Sequence, residues 1–361
     1  MDERTTPLVK LRGRGTAENP ANRFVQQELV PDGDWLDALD EEEPAPRTVF
    51  LRDTTRTVIA RNDSPDVGFE ASVNPYRGCE HGCIYCFARP THEYFGLSAG
   101  LDFETRIFVK EDAPELLRRE LAGPRWTPQL IAMSGVTDCY QPVERRLRLT
   151  RGCLEVLAEF RNPVSIITKN HLVTRDVDIL GEMAAWNGSV VNVSVTSLDE
   201  SLQRVMEPRT STPRRRLAAI ATLARAGVPV RVLVAPVVPG LTDHEVPAIL
   251  RAVADAGARG ASFIPLRLPW GVKDLFEGWL ETHFPDRKDK VLNRVRAIRG
   301  GKLNDPEFGS RMEGDGIFAE QMRALFTAAA KRAGLDGELP PLSTEHFHRP
   351  HDRKGQLGLF G

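Results

Sequence analysis

The sequence predicts an α/β protein built as an open, partial (β/α)6 barrel of the TIM type, with an N-terminal extension and a C-terminal helical region. Two observations carry this. Six short runs rich in valine and isoleucine alternate with longer stretches of helical period, and strands each followed by a helix imply βαβ units and a parallel sheet. Residues able to do chemistry fall directly after those runs, where the carboxyl ends of barrel strands hold their ligands. Six repeats suit an incomplete barrel better than a doubly wound sheet, although period alone does not separate the two.

The elements follow in order. Residues 1–62 read as a partly disordered extension: Gly13, Gly15 and Asn19-Pro20 punctuate the backbone, and residues 32–43 form an acidic run that favours a solvated, mobile segment. Val49, Phe50, Val58 and Ile59 give strand-like content that packs, on this reading, onto the main body. The barrel occupies 63–270, with strands expected at 69–73, 129–133, 164–168, 190–196, 230–235 and 262–266. Helices are expected at 114–121, 144–160, 176–186, 213–226 and 245–256. A further helix at 273–282 opens a helical region over 271–334, and 335–361 read as a flexible tail.

At 361 residues the chain can bury a sizeable core. A formal net charge of −2 gives no global attraction to nucleic acid or anionic lipid. No run of about eighteen apolar residues exists, so no membrane span is expected, and the N-terminus lacks the apolar centre of a secretory signal. Five cysteines, three of them crowded together, fit a reducing compartment better than a disulfide framework. The cytoplasm is the expected location.

The crowded three lie in Asn74-Pro75-Tyr76-Arg77-Gly78-Cys79-Glu80-His81-Gly82-Cys83-Ile84-Tyr85-Cys86-Phe87, spaced C-x3-C-x2-C and followed by an aromatic ring. Thiolates select iron–sulfur clusters, zinc or Cu(I). Four-iron clusters ordinarily take four cysteines, so a compact three suggests one iron open to a small chelating molecule. Gly78 and Gly82 let the loop wrap closely. The competing reading is a zinc site that adds His81, yet zinc fingers use a second ligand pair that is not evident here.

This loop resembles that of the radical S-adenosylmethionine (SAM) superfamily. The resemblance implies a [4Fe–4S] cluster held by Cys79, Cys83 and Cys86, with SAM bound to the open iron through its amino and carboxylate groups. Reductive cleavage of the sulfonium bond then gives methionine and a 5′-deoxyadenosyl radical, the chemistry being the cofactor's and the positioning the protein's. It also implies a partial-barrel core, which decides between the two α/β architectures, and an electron donor such as flavodoxin or ferredoxin.

Further runs resemble spore photoproduct lyase and its wider relatives over roughly residues 63–270: Ile166-Ile167-Thr168-Lys169-Asn170, Val193-Ser194-Val195-Thr196-Ser197, Glu207-Pro208-Arg209-Thr210-Ser211-Thr212-Pro213 and Leu233-Val234-Ala235-Pro236. By that resemblance Lys169 pairs with the SAM carboxylate, Ser194 hydrogen-bonds it, Thr196 joins the cofactor-binding set and Phe87 packs on the adenine. Arg209 is either a second anion contact or a cap on its loop. Asp138 and Glu144 hold ribose hydroxyls or substrate, or Glu144 simply favours the first turn of its helix. Cys139, after the second strand and facing the expected site, reads first as a hydrogen-atom donor or substrate contact, then as an inert thiol or a fourth cluster ligand. Cys153 reads as a small buried hydrophobe, and His81 and His92 as structural.

Arg145, Arg146, Arg148 and Arg151, then Arg214, Arg215 and Arg216, and a third set from Arg287 to Lys302 would hold a phosphate backbone if they shared a face. Solvated helix faces are the alternative. Gln356-Leu357-Gly358-Leu359-Phe360 resembles the pentapeptide by which bacterial replication and repair proteins dock on the DNA sliding clamp. The reading is a radical SAM enzyme that abstracts hydrogen from its substrate, a DNA lesion being the most specific candidate. Modification of RNA, protein or a metabolite on the same core is the rival. A non-catalytic iron–sulfur protein for electron transfer or redox sensing, with Cys139 as fourth ligand, is the alternative from a different class.

Overall fold

Ten strands appear in the computed structural model, which describes residues 11–24, 47–337 and 339–350. They are β1 (Val49–Arg52), β2 (Ile59–Arg61), β3 (Ala71–Val73), β4 (Tyr76–Arg77), β5 (Arg106–Val109), β6 (Ile131–Met133), β7 (Val164–Thr168), β8 (Ser189–Ser194), β9 (Val230–Val237) and β10 (Gly260–Pro265). The acidic run 32–43 and Gln356-Leu357-Gly358-Leu359-Phe360 lie outside the described residues.

The main sheet has the order β10-β9-β8-β7-β6-β3-β2. Its pairings from β3 through β10 are parallel, and β2 joins β3 antiparallel. The six expected strands therefore form the wall of an open barrel whose ends are β10 and β2. In β7 the buried Val164, Ile166 and Thr168 alternate with half-buried Ser165 and Ile167, as befits a strand covered on both faces. Helices Ala113–Ala122, Leu149–Phe160, Val177–Ala184, Pro213–Arg225 and Val246–Asp255 return the chain between strands. The helix at Pro213 begins with a Thr212 cap and proline in its first turn.

The helix expected over 144–160 is two helices, Glu144–Leu147 and Leu149–Phe160, broken at Arg148, which has φ 56°. The Thr150 N–H donates to the Glu144 carboxylate (3.2 Å) and its hydroxyl to the Cys139 carbonyl (2.7 Å). The Glu144 carboxylate thus satisfies an N–H that a continuous helix would have paired along its own axis. A short helix lies where none is expected, at Glu200–Met206, with the Asp199 carboxylate accepting from the Ser201 and Leu202 N–H groups.

The described parts of the two terminal regions are more integrated than expected. β1, β5 and β4 form a second sheet in which β1 pairs parallel with β5, and β2 extends the main one. The described part of 1–62 is therefore built into the barrel, through partners far away in sequence that a local pattern does not reveal. The tail expected over 335–361 is, in its described part, a strap across the barrel base. The Ser343 N–H donates to the Asn187 carbonyl (3.0 Å), and the His348 N–H to the Phe160 carbonyl (3.0 Å). Phe347 meets Phe160 and His346 meets Trp186, at centroid distances of 6.3 and 5.8 Å. Their apolar surface is what draws the strap down.

One apolar core fills the space between the main sheet and its helices. A second gathers Cys83, Ile84 and Tyr85 with Met206, Leu266 and Leu268, and with helices Val272–His283 and Pro285–Ala297. The C-terminal helices thereby buttress the cysteine loop. Full burial of a side chain the size of Ile84 contributes about 1.5–3 kcal/mol. No described helix is long and apolar enough to cross a membrane.

Candidate functional site

The cysteine loop leaves β3, pairs briefly through β4 and turns at Gly78 (φ 80°) and Gly82 (φ 65°). Both glycines are also required by space: a Cβ on Gly78 would lie 2.7 Å from His92 Cε1, and one on Gly82 2.6 Å from Glu104 Oε2. The loop is gripped from several sides. Arg89 donates through Nε to the Cys83 carbonyl (2.9 Å), through Nη2 to the Gly82 carbonyl (3.2 Å) and through Nη1 to the Gly100 carbonyl (2.9 Å). Its charge is matched by Glu104 at 2.5 Å, both side chains being fully enclosed. The same carboxylate accepts the Gly15 N–H (2.9 Å), which ties the N-terminal segment to the back of the loop. Gln141 takes the Glu80 N–H (2.9 Å) and donates to the Gly78 carbonyl (3.2 Å).

Cys79 and Cys83 are buried and Cys86 half-buried. Burial pushes all three thiols up from their ordinary values. The positive charge of Lys169 opposes this at Cys83 and Cys86, and the Asp138 N–H opposes it at Cys79. Buried thiols of this kind become stable thiolates when a cation takes them. Zinc shared with His81 does not fit. Asn170 Nδ2 donates to His81 Nε2 (3.1 Å), and His81 Nδ1 faces Asp138 (3.3 Å), so both ring nitrogens are engaged. Among the described residues no three His, Cys, Asp or Glu side chains converge on a point for a single ion. Three thiols on one loop do fit an iron–sulfur cluster.

The facing wall comes from the carboxyl ends of β6, β7 and β8. Asp138 accepts from the Thr168 hydroxyl (2.9 Å) and the Lys169 N–H (2.8 Å). Burial alone would raise its carboxyl, but His81 and the N–H groups of Lys169 and Tyr140 hold it below the usual range. The Lys169 ammonium lies 5.8 Å over the Tyr85 ring and has no ion pair among the described residues. Ser194 is buried at the end of β8. Beneath them Glu207 accepts from the Thr196 hydroxyl (2.7 Å), from the Tyr85 hydroxyl and from Arg216. Burial pushes Glu207 up, yet Arg216, Lys169 and the two hydroxyls bring its pKa down to about 2.

Several expected residues take other places. Cys139 does not face the site: it is fully enclosed in the main core, where burial and then Asp138 push its thiol well up. Cys139 belongs to the main apolar core, whereas Cys79, Cys83 and Cys86 belong to the clusters around the loop, so the expected position facing the site is not the one it takes. Arg209 is not a free anion contact, because Nη2 pairs with Glu80 (3.0 Å) and its N–H donates to the His81 carbonyl (3.2 Å). It caps the loop. The Thr196 hydroxyl points its proton at Glu207 rather than at a cofactor. Glu144 is enclosed by Tyr76, Thr150 and Arg175. Phe87 is 51% exposed, which removes core filling and leaves a ring face open beside the loop.

The basic sets divide as well. Arg216 is buried against Glu207, Arg151 pairs with Glu155, Asp176 and Asp178, and Arg299 donates to the carbonyls of Pro265, Leu266, Ser310 and Arg311. Arg89, Glu104 and Arg216 were not identifiable as site-building residues from sequence; Glu207 opens a run singled out by resemblance, but without a role, and Arg216 lies nine places after it.

Residues 73–253 match the Radical SAM superfamily. An uncharacterised protein of Mycobacterium tuberculosis is 40% identical over 243 residues, 66% of this chain and 70% of that one. An uncharacterised protein of Methanocaldococcus jannaschii is 29% identical over 178 residues, 49% of this chain and 64% of that one. Spore photoproduct lyase complexed with dinucleoside spore photoproduct has a similar fold, with a TM-score of 0.55 at 17% identity over 78% of this chain and 79% of that one.

Proposed function

Because the chain belongs to the radical SAM superfamily, we propose that it is an enzyme which cleaves S-adenosylmethionine reductively at a [4Fe–4S] cluster held by Cys79, Cys83 and Cys86. The observation that carries this is three thiols on one loop, two buried and one half-buried, with Cys139 set apart in the main core. Cys79, Cys83 and Cys86 would hold the cluster, which when bound would supply the reducing electron and, with SAM, the radical chemistry of hydrogen abstraction.

The chain's own residues position the reactants. Lys169 offers its ammonium to the SAM carboxylate as a point-charge contact, and Ser194 offers a hydroxyl at the neighbouring strand end. Phe87 presents its open face to the adenine. Tyr85, Glu207 and Arg216 hold the loop in register with that wall. The electron comes from a donor of the flavodoxin or ferredoxin type. The finer reading is that hydrogen is taken from a nucleic acid, a DNA lesion above all; the likeness in fold to an enzyme solved with dinucleoside spore photoproduct supports it.

Anaerobic reconstitution with iron and sulfide, then dithionite and SAM, tests the central claim. Formation of 5′-deoxyadenosine and a cluster EPR signal that changes on adding SAM are expected. An unaltered spectrum without nucleoside would instead support the electron carrier.

A further inference from the structure

Five large aromatic residues among those described stand more than half exposed, Phe24 (56%), Phe87 (51%), Tyr94 (69%), Trp270 (57%) and Phe308 (58%), in two groups that meet at the segment after β10 carrying Arg267 and Trp270. Arginines lie against the rings within each group. The Arg23 guanidinium lies 5.0 Å from the Phe24 ring and 4.4 Å from that of Trp270, and Phe24 stacks on Tyr94 at 5.0 Å. Arg267, just past β10, lies 6.0 Å from the Phe87 ring and donates to the Met312 sulfur (3.1 Å). Beside Met312, Arg311 lies 4.2 Å over Phe308.

Two of these arginines are already neutralised, Arg23 by Glu93 and Arg311 by Asp66. Arg267 is not. Its Nε is buried without a hydrogen-bond partner, and among the described residues no carboxylate lies within ion-pair reach. Burial, and then Arg311, lower its pKa, as expected of a guanidinium short of an anion.

We propose that this rim binds a single-stranded nucleic acid, with successive bases on Phe24 and Tyr94, Trp270 and Phe308, and a backbone phosphate on Arg267. Ring faces suit unstacked bases of any sequence. A guanidinium held beside them suits a phosphodiester, which it grips through two N–H donors. A duplex keeps its base faces inside the stack and leaves such rings unused. This deepens the proposed function by specifying a single strand as the form of nucleic acid bound, and it rests on that reading for its purpose though not for its geometry.

The test is fluorescence anisotropy of the full chain with a labelled oligothymidylate of about twelve nucleotides, alongside an oligouridylate and a duplex of equal length. Salt-sensitive binding of one or both single strands, tighter than of the duplex, is expected. Trp270→Ala and Phe308→Ala should each weaken it about tenfold. Arg267→Ala should weaken it and lower the salt dependence by about one counterion. Arg225→Ala, at the opposite end of the barrel, should change nothing. Equal binding of the duplex, ring variants that bind like the wild type, or no binding at low salt would each overturn the proposal. The same preparations are assayed for 5′-deoxyadenosine without oligonucleotide. Nucleoside formed without strand binding removes the rim alone; ring-dependent binding without nucleoside removes the radical reading alone.

Discussion

The Tyr85 hydroxyl donates to the Glu207 carboxylate, so a residue between two of the loop cysteines hangs on the segment that follows β8. Thr196 and Arg216 complete the set, and Glu207 and Arg216 are each about 1% exposed. The cysteine loop and the cofactor wall therefore share one buried anion.

That anion is expected to be structural in effect. Glu207→Gln leaves Arg216 charged and unpaired in the interior, at a cost of about 3–5 kcal/mol. Tyr85→Phe removes one hydrogen bond to a charged group, about 1.5–3 kcal/mol. Urea unfolding followed by tryptophan fluorescence measures both. A Glu207→Gln protein that unfolds at the wild-type midpoint would contradict the shared-anion account.

Alanine at Cys79, Cys83 or Cys86 should each abolish the four-iron absorption band and nucleoside formation. Cys139→Ala and Cys153→Ala, both within the core, should keep full iron content and lose only packing energy. Iron analysis after reconstitution decides, and loss of iron in Cys139→Ala would restore a ligand role to that thiol.

Lys169→Met removes the ammonium while keeping much of the chain that covers Tyr85. Loss of a charged contact of about 1.5–3 kcal/mol predicts roughly 10- to 150-fold weaker SAM binding with unchanged iron content. Equilibrium dialysis with labelled SAM is the measurement. Unchanged affinity would place the carboxylate elsewhere.

His92 sets the response to acid. It is enclosed, with Nε2 2.8 Å from the Arg106 carbonyl, and burial lowers its pKa from 6.5 to about 4. Protons then prefer the unfolded chain. Stability is intact above pH 6.5 and falls as pH drops towards 4, by at most about 1.4 kcal/mol per unit. Glu207 adds a loss only at lower pH: its contribution is full above 4.5 and disappears as pH falls through about 2. The urea midpoint should decline between pH 6.5 and 4.5, and His92→Gln should flatten that decline. An equal slope in the variant would clear His92 of the effect.

The wall strands were legible because Val164, Ile166, Val191, Val193, Val230 and Val232 are buried runs whose type follows from short-range pattern. Cys79, Cys83 and Cys86 were legible because ligand spacing is local too. Arg216 read as part of a surface patch, since nothing nearby in sequence announces that a carboxylate will enclose it. Cys139 sits on a loop but turns inward, where Ser134 Oγ takes its N–H (2.7 Å). The place of Gly15 against Glu104 spans 89 residues, and contact over that distance leaves no periodic trace.

Asp66 lies in the turn between β2 and β3 and meets Arg311 and the Gly309 N–H (2.6 Å), in a segment that packs beside β10. The Asp66–Arg311 ion pair and the hydrogen bonds of the Gly309 N–H to Asp66 and of Arg311 to the Ser64 hydroxyl thus stitch the two free margins of the sheet where a complete ring would have a ladder. A stitched seam can ease apart by the turn of a few side chains, whereas a laddered one must break paired backbone.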